Sequence, residues 1–234
     1  MKFLILRGNP RKTGLSEKLG NLFKEGLKDA NAEIFDIDLA AQNIAPCKGC
    51  FACVKTGKCV QNDNMQNILC LLKECDAIVC ISPVYFYSTS SLVKIFFDRC
   101  FPLIDGYTYN AKNNAVENST ALKGKKFITI SCALGRKNSA FGVIGQTYSS
   151  IASALNLNYI ANICRGEAPL LGEKSQASLR VKKIFAAFRE MGKEFGKKGA
   201  ISQSLIDLSE LYLSLSDEQF AKNAKIFWDI EKRR

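Results

Sequence analysis

The sequence predicts an α/β fold: a five-stranded parallel sheet in the order 2-1-3-4-5, with helices on both faces. Three observations predict it. Short apolar runs recur along the chain without in–out alternation, as buried strands require. Stretches with helical spacing of apolar residues fall between them. Strand and helix therefore alternate, the pattern of a parallel sheet covered on both sides.

Lys2 to Arg7 is the first strand, and Gly8 to Gly14 a polar loop. A helix follows with Leu15, Leu19, Leu22, Phe23 and Leu27 on one face. Glu33 to Ile37 is the second strand, followed by a long cysteine-bearing loop. Asp63 with Gln66 marks the next helix start. Asp76 to Ser82 is the third strand, ended by Pro83. Ser90 or Ser91 caps a helix whose buried face is Leu92, Ile95, Phe96 and Leu103. The polar, Asn-rich stretch Gly106 to Gly124 reads as an excursion loop. Lys126 to Cys132 and Tyr159 to Cys164 are the fourth and fifth strands, with a helix over Ile144 to Leu155 between them. A strong helix covers Ser178 to Lys198, with Val181, Ile184, Phe185, Phe188, Met191 and Phe195 on one face. From Ile201 two further helical stretches follow, the last opened by the capping box Ser216 and Gln219. Its Phe227 and Trp228 are expected to pack on the domain or on a partner subunit. The expected organisation is one domain over 1–200 and a helical extension over 201–234.

The 234 residues suffice for one α/β domain and are few for two. The apolar start Phe3 to Leu6 breaks at Arg7-Gly8, too short for a signal segment or a membrane span. A cytoplasmic protein without membrane contact is expected. The net charge of +11 attracts nucleic acid or phosphate-bearing cofactors alike. The basic residues are spread, with Lys123-Gly124-Lys125-Lys126, Lys197-Lys198 and Lys232-Arg233-Arg234 the densest groups. They read as solvated faces and a basic tail. No nucleic-acid-binding motif accompanies them, so no nucleic-acid partner is expected. The sequence has no histidine, which excludes His acid–base catalysis, Ser-His triads and His-ligated metals. Its ten cysteines are expected as reduced thiols or metal ligands.

In a parallel sheet of this order, ligands bind outside the carboxyl ends of the strands, at the switch point. The loop after the first strand carries Asn9, Arg11, Thr13, Gly14 and Ser16 ahead of a helix N-terminus. Unpaired backbone N–H groups and the helix dipole favour an anion there, and the Arg11 fork suits phosphate oxygens. The spacing is neither a Walker A loop nor Gly-x-Gly-x-x-Gly. By residue type it is either a one-phosphate cradle or a turn that caps a helix. Pro83, Val84, Tyr85, Phe86 and Tyr87, after the third strand, supply flat apolar area, for a ring system or for core and interface. Cys132, Ala133 and Gly135, after the fourth strand, join the site by position.

The remaining motif is Cys47-x2-Cys50-x2-Cys53-x5-Cys59, on a Gly-containing loop over 46–60. A [4Fe-4S] cube takes four thiolates on such a loop, and the bacterial ferredoxin run has nearly this spacing, with a shorter last gap and a Pro where Val60 stands. Zinc and a metal-free thiol loop are the alternatives. Cys70, Cys75, Cys80, Cys100, Cys132 and Cys164 read as small buried hydrophobes.

These motifs together resemble the NADPH-dependent FMN reductase and iron-sulfur flavoprotein family, over residues 1 to 200. The first loop is similar to that family's Gly-Ser-Pro-Arg-x-x-Gly-Asn-Ser phosphate loop, with Asn9 for the usual Ser and Leu15 for the usual Asn. Ser82-Pro83-Val84-Tyr85-Phe86 and Phe97-Asp98-Arg99 resemble its flavin-contacting loop and the helix behind it, with Tyr87 where Gly is common. The four cysteines and Asp63-Asn64-Met65 resemble its compact cluster motif. The resemblance implies a flavodoxin-like fold, FMN on the three loops, NAD(P)H as co-substrate, and Cys47, Cys50, Cys53 and Cys59 as ligands of a [4Fe-4S] cluster. It also implies a homodimer or homotetramer, and a small acceptor such as a flavin or quinone, or a carrier such as ferredoxin. The expected activity is FMN-dependent oxidoreduction, with the flavin rather than a side chain carrying the chemistry. The rival is a non-enzymatic electron carrier or redox sensor. Asp98 and Arg99 are expected to form an ion pair.

Overall fold

The computed structural model describes residues 1–110, 115–136, 140–172 and 178–233, and the side chains among these except at 107–110 and 115–119. Arg234 of the basic tail lies outside the described residues. The order is β1 (Lys2–Arg7), α1 (Leu15–Asp29), β2 (Glu33–Asp38), α2 (Ala52–Thr56), α3 (Met65–Glu74), β3 (Ala77–Pro83), α4 (Ser91–Asp98), β4 (Ile104–Asn110), β5 (Ala115–Thr120), β6 (Lys126–Cys132), α5 (Gly142–Ala154), β7 (Asn158–Arg165), α6 (Leu179–Lys198), α7 (Gln203–Ser209) and α8 (Asp217–Glu231).

The main sheet runs β2-β1-β3-β6-β7, every pairing parallel. Counted among the parallel strands alone, this is the expected 2-1-3-4-5 order, a flavodoxin-like α/β fold. Alternate side chains of each strand supply two separate cores. Leu4, Leu6, Ile78, Cys80 and Phe127 pack under α3, α4 and α5. Phe3, Ile5, Val79, Ile81, Ile128 and Ile130 pack under α1 and α6. On that second face the helices touch backbone to backbone. A Cβ on Gly26 would lie 1.9 Å from the Arg189 carbonyl, and one on Gly192 would lie 2.0 Å from that of Phe23.

Four expectations are corrected. The excursion loop contains an antiparallel pair, β4 with β5, set apart from the main sheet. Gly106, Asn110 and the asparagines near 113 read as loop, but the β formers Tyr107, Thr108, Tyr109 and Val116 flank them, and an antiparallel ladder needs only local pairing. Residues 111–114 of that stretch lie outside the described residues. Helix α4 buries Val93 and Phe96, where Leu92 and Ile95 stay only partly covered. Cys70 is exposed, because α3 turns Met65, Ile68, Leu69 and Leu72 to the core. Asp98 pairs with Lys94 at 2.6 Å, one helical turn back, instead of with Arg99.

The C-terminal segment is bound to the sheet edge by polar contacts. Arg165, fully buried at the end of β7, donates Nη1 to the carbonyls of Ser209 (3.0 Å) and Leu211 (2.7 Å). The buried Glu167 carboxylate accepts the Leu213 (2.6 Å) and Ser214 (3.0 Å) amides, and Arg136 at 2.8 Å. The Arg136 guanidinium also faces the rings of Tyr212 and Phe220, 4.6 and 5.0 Å from their centroids. Helix α8 itself buries no residue; Phe227 is half-buried and Trp228 exposed, their rings 5.6 Å apart. Among the described residues no helix is long and apolar enough to cross a membrane.

Candidate functional site at the carboxyl edge of the sheet

The loops that follow β1, β3, β6 and β7 are joined into one edge by backbone hydrogen bonds. Gly8 N–H donates to Ile81 (2.8 Å), Val84 N–H to Cys132 (2.8 Å), Ala133 N–H to Arg165 (3.0 Å), and Ala168 N–H back to Ala133 (2.8 Å). Ser90, the cap of α4, donates its hydroxyl to the Gly8 carbonyl at 2.8 Å and accepts from Val93 N–H. Only glycine fits at position 8, since a Cβ would lie 2.1 Å from Cγ2 of the buried Val93.

The loop 8–16 then enters α1 with no side-chain cap. Gly14 stands at the N-cap in extended conformation, and its amide closes a turn on the Arg11 carbonyl at 3.3 Å. The first-turn amides of α1 are thus left for an external acceptor, where the helix dipole favours an anion. Arg11, Lys12 and Thr13 are exposed around this end, and Ser16 is buried beneath it. Asn9 turns inward. Its Nδ2 donates to Glu17 Oε2 at 2.9 Å, and its Oδ1 is buried with no hydrogen-bond partner. Arg7 takes the other Glu17 oxygen, so the one acid of the first turn is neutralised from below.

Ser16 reaches the β6 loop. Burial pushes the Cys132 thiol up to about 11, while the Ser16 hydroxyl beside it opposes that rise. The structure therefore brings Asn9, Arg11, Thr13, Gly14 and Ser16 to one edge with Pro83, Val84, Cys132 and Ala133. Gly135 lies next to the β7 loop, where a Cβ on Gly166 would sit 2.7 Å from its carbonyl.

The aromatic segment forms a tight turn. Tyr85 and Ser88 exchange both backbone hydrogen bonds at 2.9 Å, with Phe86 and Tyr87 between them at φ of +46° and +63°. Two successive left-handed residues make a primed turn that favours Gly or Asn. Filling it with Phe and Tyr stores strain and holds both rings outward, Phe86 at 100 % exposure. Behind the turn a hydroxyl chain, Tyr148 to Thr89 (3.0 Å) to Ser82 (3.0 Å), fixes the strand exit.

The cysteine loop lies elsewhere, at the far end of α4. Helix α4 spans eight residues, about 12 Å at the standard rise. Ser90 at its start holds the first loop; Arg99 at its end holds the cysteine loop. Cys47 and Cys50 are exposed, Cys53 and Cys59 half-buried. Burial raises the Cys53 thiol above its ordinary value, and Cys59, Cys47 and Cys50 raise it further. Among the described residues, however, no three ligand groups stand close enough to hold a metal ion as they are. Sequence reasoning missed the partner of Arg99, which is Asp63, and the roles of Arg136, Arg165 and Glu167. Long-range ion pairs carry no periodic signal along a chain.

Comparison with known proteins bears on the family and the fold. The family model described as NADPH-dependent FMN reductase matches residues 1–160. An iron-sulfur flavoprotein of Archaeoglobus fulgidus is 33 % identical over 102 residues, covering 44 % of this chain and 46 % of the relative. One of Methanocaldococcus jannaschii is 34 % identical over 131 residues, covering 56 % and 68 %. The chain thus spans about half to two thirds of the length of these relatives. An FMN-dependent NADH-azoreductase from Bacillus anthracis, solved with FMN, superposes with a TM-score of 0.64 at 15 % identity, over 83 % of this chain and 99 % of that one. An NAD(P)H:quinone oxidoreductase from Methanothermobacter marburgensis gives 0.59 at 16 %, over 83 % and 96 %. At such identities the structures show a shared fold. On the family match, which covers most of the chain, this protein belongs to the NADPH-dependent FMN reductase family.

Proposed function

We propose that this chain is an FMN-dependent oxidoreductase that takes electrons from NAD(P)H or a reduced carrier such as ferredoxin and passes them to a small acceptor, a flavin or a quinone. The observation that carries the reading is the uncapped N-terminus of α1 at the carboxyl edge, ringed by Arg11, Thr13 and Ser16. These residues fit a phosphate. The orphaned buried Oδ1 of Asn9 fits a hydroxyl donor such as a ribityl chain offers. Pro83 to Tyr87 and Cys132 to Gly135 supply apolar walls and backbone groups for the ring. FMN bound there supplies hydride and single-electron chemistry without a side-chain acid, consistent with a chain that has no histidine. The protein's own part is to hold the phosphate, orient the ring and exclude water from one side of it.

Cys47, Cys50, Cys53 and Cys59 fit a [4Fe-4S] cluster by donor chemistry, as four free thiols on one short loop. In this reading the cluster supplies single-electron transfer between a carrier and the flavin. A homodimer or homotetramer is the proposed assembly. A second reading, an NAD(P)H-driven reductase with a metal-free thiol loop, is favoured by the spread of the four thiols in the structure.

An anaerobic absorption spectrum with iron and sulfide assays separates the two. Flavin bands over a broad iron-sulfur shoulder, with about four irons per chain, support the cluster. Flavin bands without iron, with NADPH oxidation by the same sample, support the second reading. A sample that takes up no FMN defeats both.

A further inference from the structure

Arg99 and Arg165 are the two largest fully buried side chains among the described residues, and the proposed flavin site uses neither. The Arg99 side chain is 1 % exposed and that of its partner Asp63 is 5 % exposed. The guanidinium makes four contacts, all to the segment that carries the cysteines. Nη1 donates to Asp63 Oδ2 and to the Ala45 carbonyl, each at 2.6 Å; Nη2 donates to Asp63 Oδ1 at 3.0 Å and to Cys59 Sγ at 3.4 Å. Asp63 in turn accepts the Ala45 amide at 3.0 Å and the Met65 amide at 3.1 Å. Ala45 lies two residues before the first cysteine, and Asp63 four residues after the last. One buried fork therefore closes the loop at its base and takes hold of one sulfur out of the four.

We propose that Arg99 and Asp63 form a positioning clasp: Asp63 shuts the two ends of the cysteine loop against α4, and Arg99 presents the Cys59 sulfur as the first, protein-set ligand of the cluster. The cluster part rests on the reading above; the clasp does not. The chemistry is specific to Arg. Only a planar fork meets a carboxylate with both nitrogens and still directs an N–H at a third acceptor. An N–H donor on a ligating sulfur withdraws charge from it and favours the reduced cluster, which raises its potential. Among the described residues no buried cation donates to the other three sulfurs, and Cys47 receives the Gly49 amide at 3.5 Å.

The test uses the full chain, as wild type, R99Q, R99K and C59S, with folding followed by circular dichroism. Metal-free samples are digested with trypsin, which cuts after Lys48, Lys55 and Lys58 inside the loop. Parallel samples are reconstituted anaerobically with ferrous iron and sulfide, then assayed for iron and for the cluster's midpoint potential. R99Q is expected to be cut in the loop at least about tenfold faster than wild type, one decade marking an unambiguous loss of loop protection. C59S, which keeps the Asp63 and Ala45 contacts, is expected to be cut at the wild-type rate. R99K keeps the charge opposite Asp63 but not the fork. It is expected to protect the loop and bind iron, yet to show a lower midpoint potential. A purely structural role would leave that potential unmoved. Wild-type cleavage, iron and potential in both Arg99 variants would overturn the clasp while leaving the cluster reading intact. A wild type that binds no iron, with R99Q still cut faster, removes the cluster reading and keeps the clasp. If R99Q does not fold, R99K decides: wild-type potential with full iron overturns the presentation of Cys59.

Discussion

Individual side chains at the carboxyl edge have two separable roles, the proposed anion binding and burial. In the proposed site Arg11 and Ser16 stand where a phosphate would meet the amides of α1, Arg11 exposed and Ser16 buried beside Cys132. Arg11→Ala and Ser16→Ala are each expected to weaken FMN binding by about tenfold, roughly 1.4 kcal/mol, with unfolding stability changed by less than about 0.5 kcal/mol for Arg11. Equilibrium titration and urea unfolding of the same samples check both halves. A thiol in the core shows the other role. Burial pushes Cys80 up to about 12 from an ordinary 9.0, with the Tyr148 hydroxyl opposing it. The folded state therefore binds that proton more tightly than the unfolded chain. The stability it contributes is complete below about pH 9 and is lost as pH rises toward 12, at about 1.4 kcal/mol per pH unit. Unfolding followed between pH 8 and 11 should fall less steeply for Cys80→Ala than for wild type, whatever the offset between the two curves.

At the scale of elements, α1 against α6 is a backbone-to-backbone contact that is hard to read in the sequence. Gly26 and Gly192 read as poor helix residues, yet each replaces a clash with a facing carbonyl. Gly192→Ala should raise intrinsic helix propensity by about 1 kcal/mol and still destabilise the protein by about 1–3 kcal/mol through overpacking. A higher midpoint in a denaturant melt would contradict that packing. The central strands β1, β3 and β6, by contrast, were legible because both of their faces are buried, so continuous runs such as Ala77 to Ile81 need no alternation to be seen. The β4–β5 pair was not, since its ladder is local and its asparagines resemble loop. The same division holds in the site. Loop 8–16 announces itself by residue type beside a helix start. The Arg99–Asp63 pair, 36 residues apart in the chain, leaves no trace short of the fold.

For the whole molecule, the outcome of interest is that the last 30 or so residues, outside the family match, are tied to the edge that carries the candidate site. Glu167 is the hub: fully buried, left-handed at φ +51°, and shared by Arg136 and two tail amides. Glu167→Gln keeps the acceptor for the amides and removes the charge opposite Arg136. The expected cost is about 2–3 kcal/mol, together with faster proteolysis within 201–233 than elsewhere in the chain. Uniform proteolysis along the chain would show that the tail is held by other means.

The central claim is that the α1 N-terminus is a phosphate site at which FMN is seated, and the most direct test compares FMN with riboflavin, which differs only by the phosphate. Equilibrium titration of the flavin-free chain should give one FMN per chain and binding of riboflavin at least about tenfold weaker, a difference that Arg11→Ala narrows. Equal affinity for the two, unchanged by Arg11→Ala, would show that the loop after β1 does not hold the phosphate.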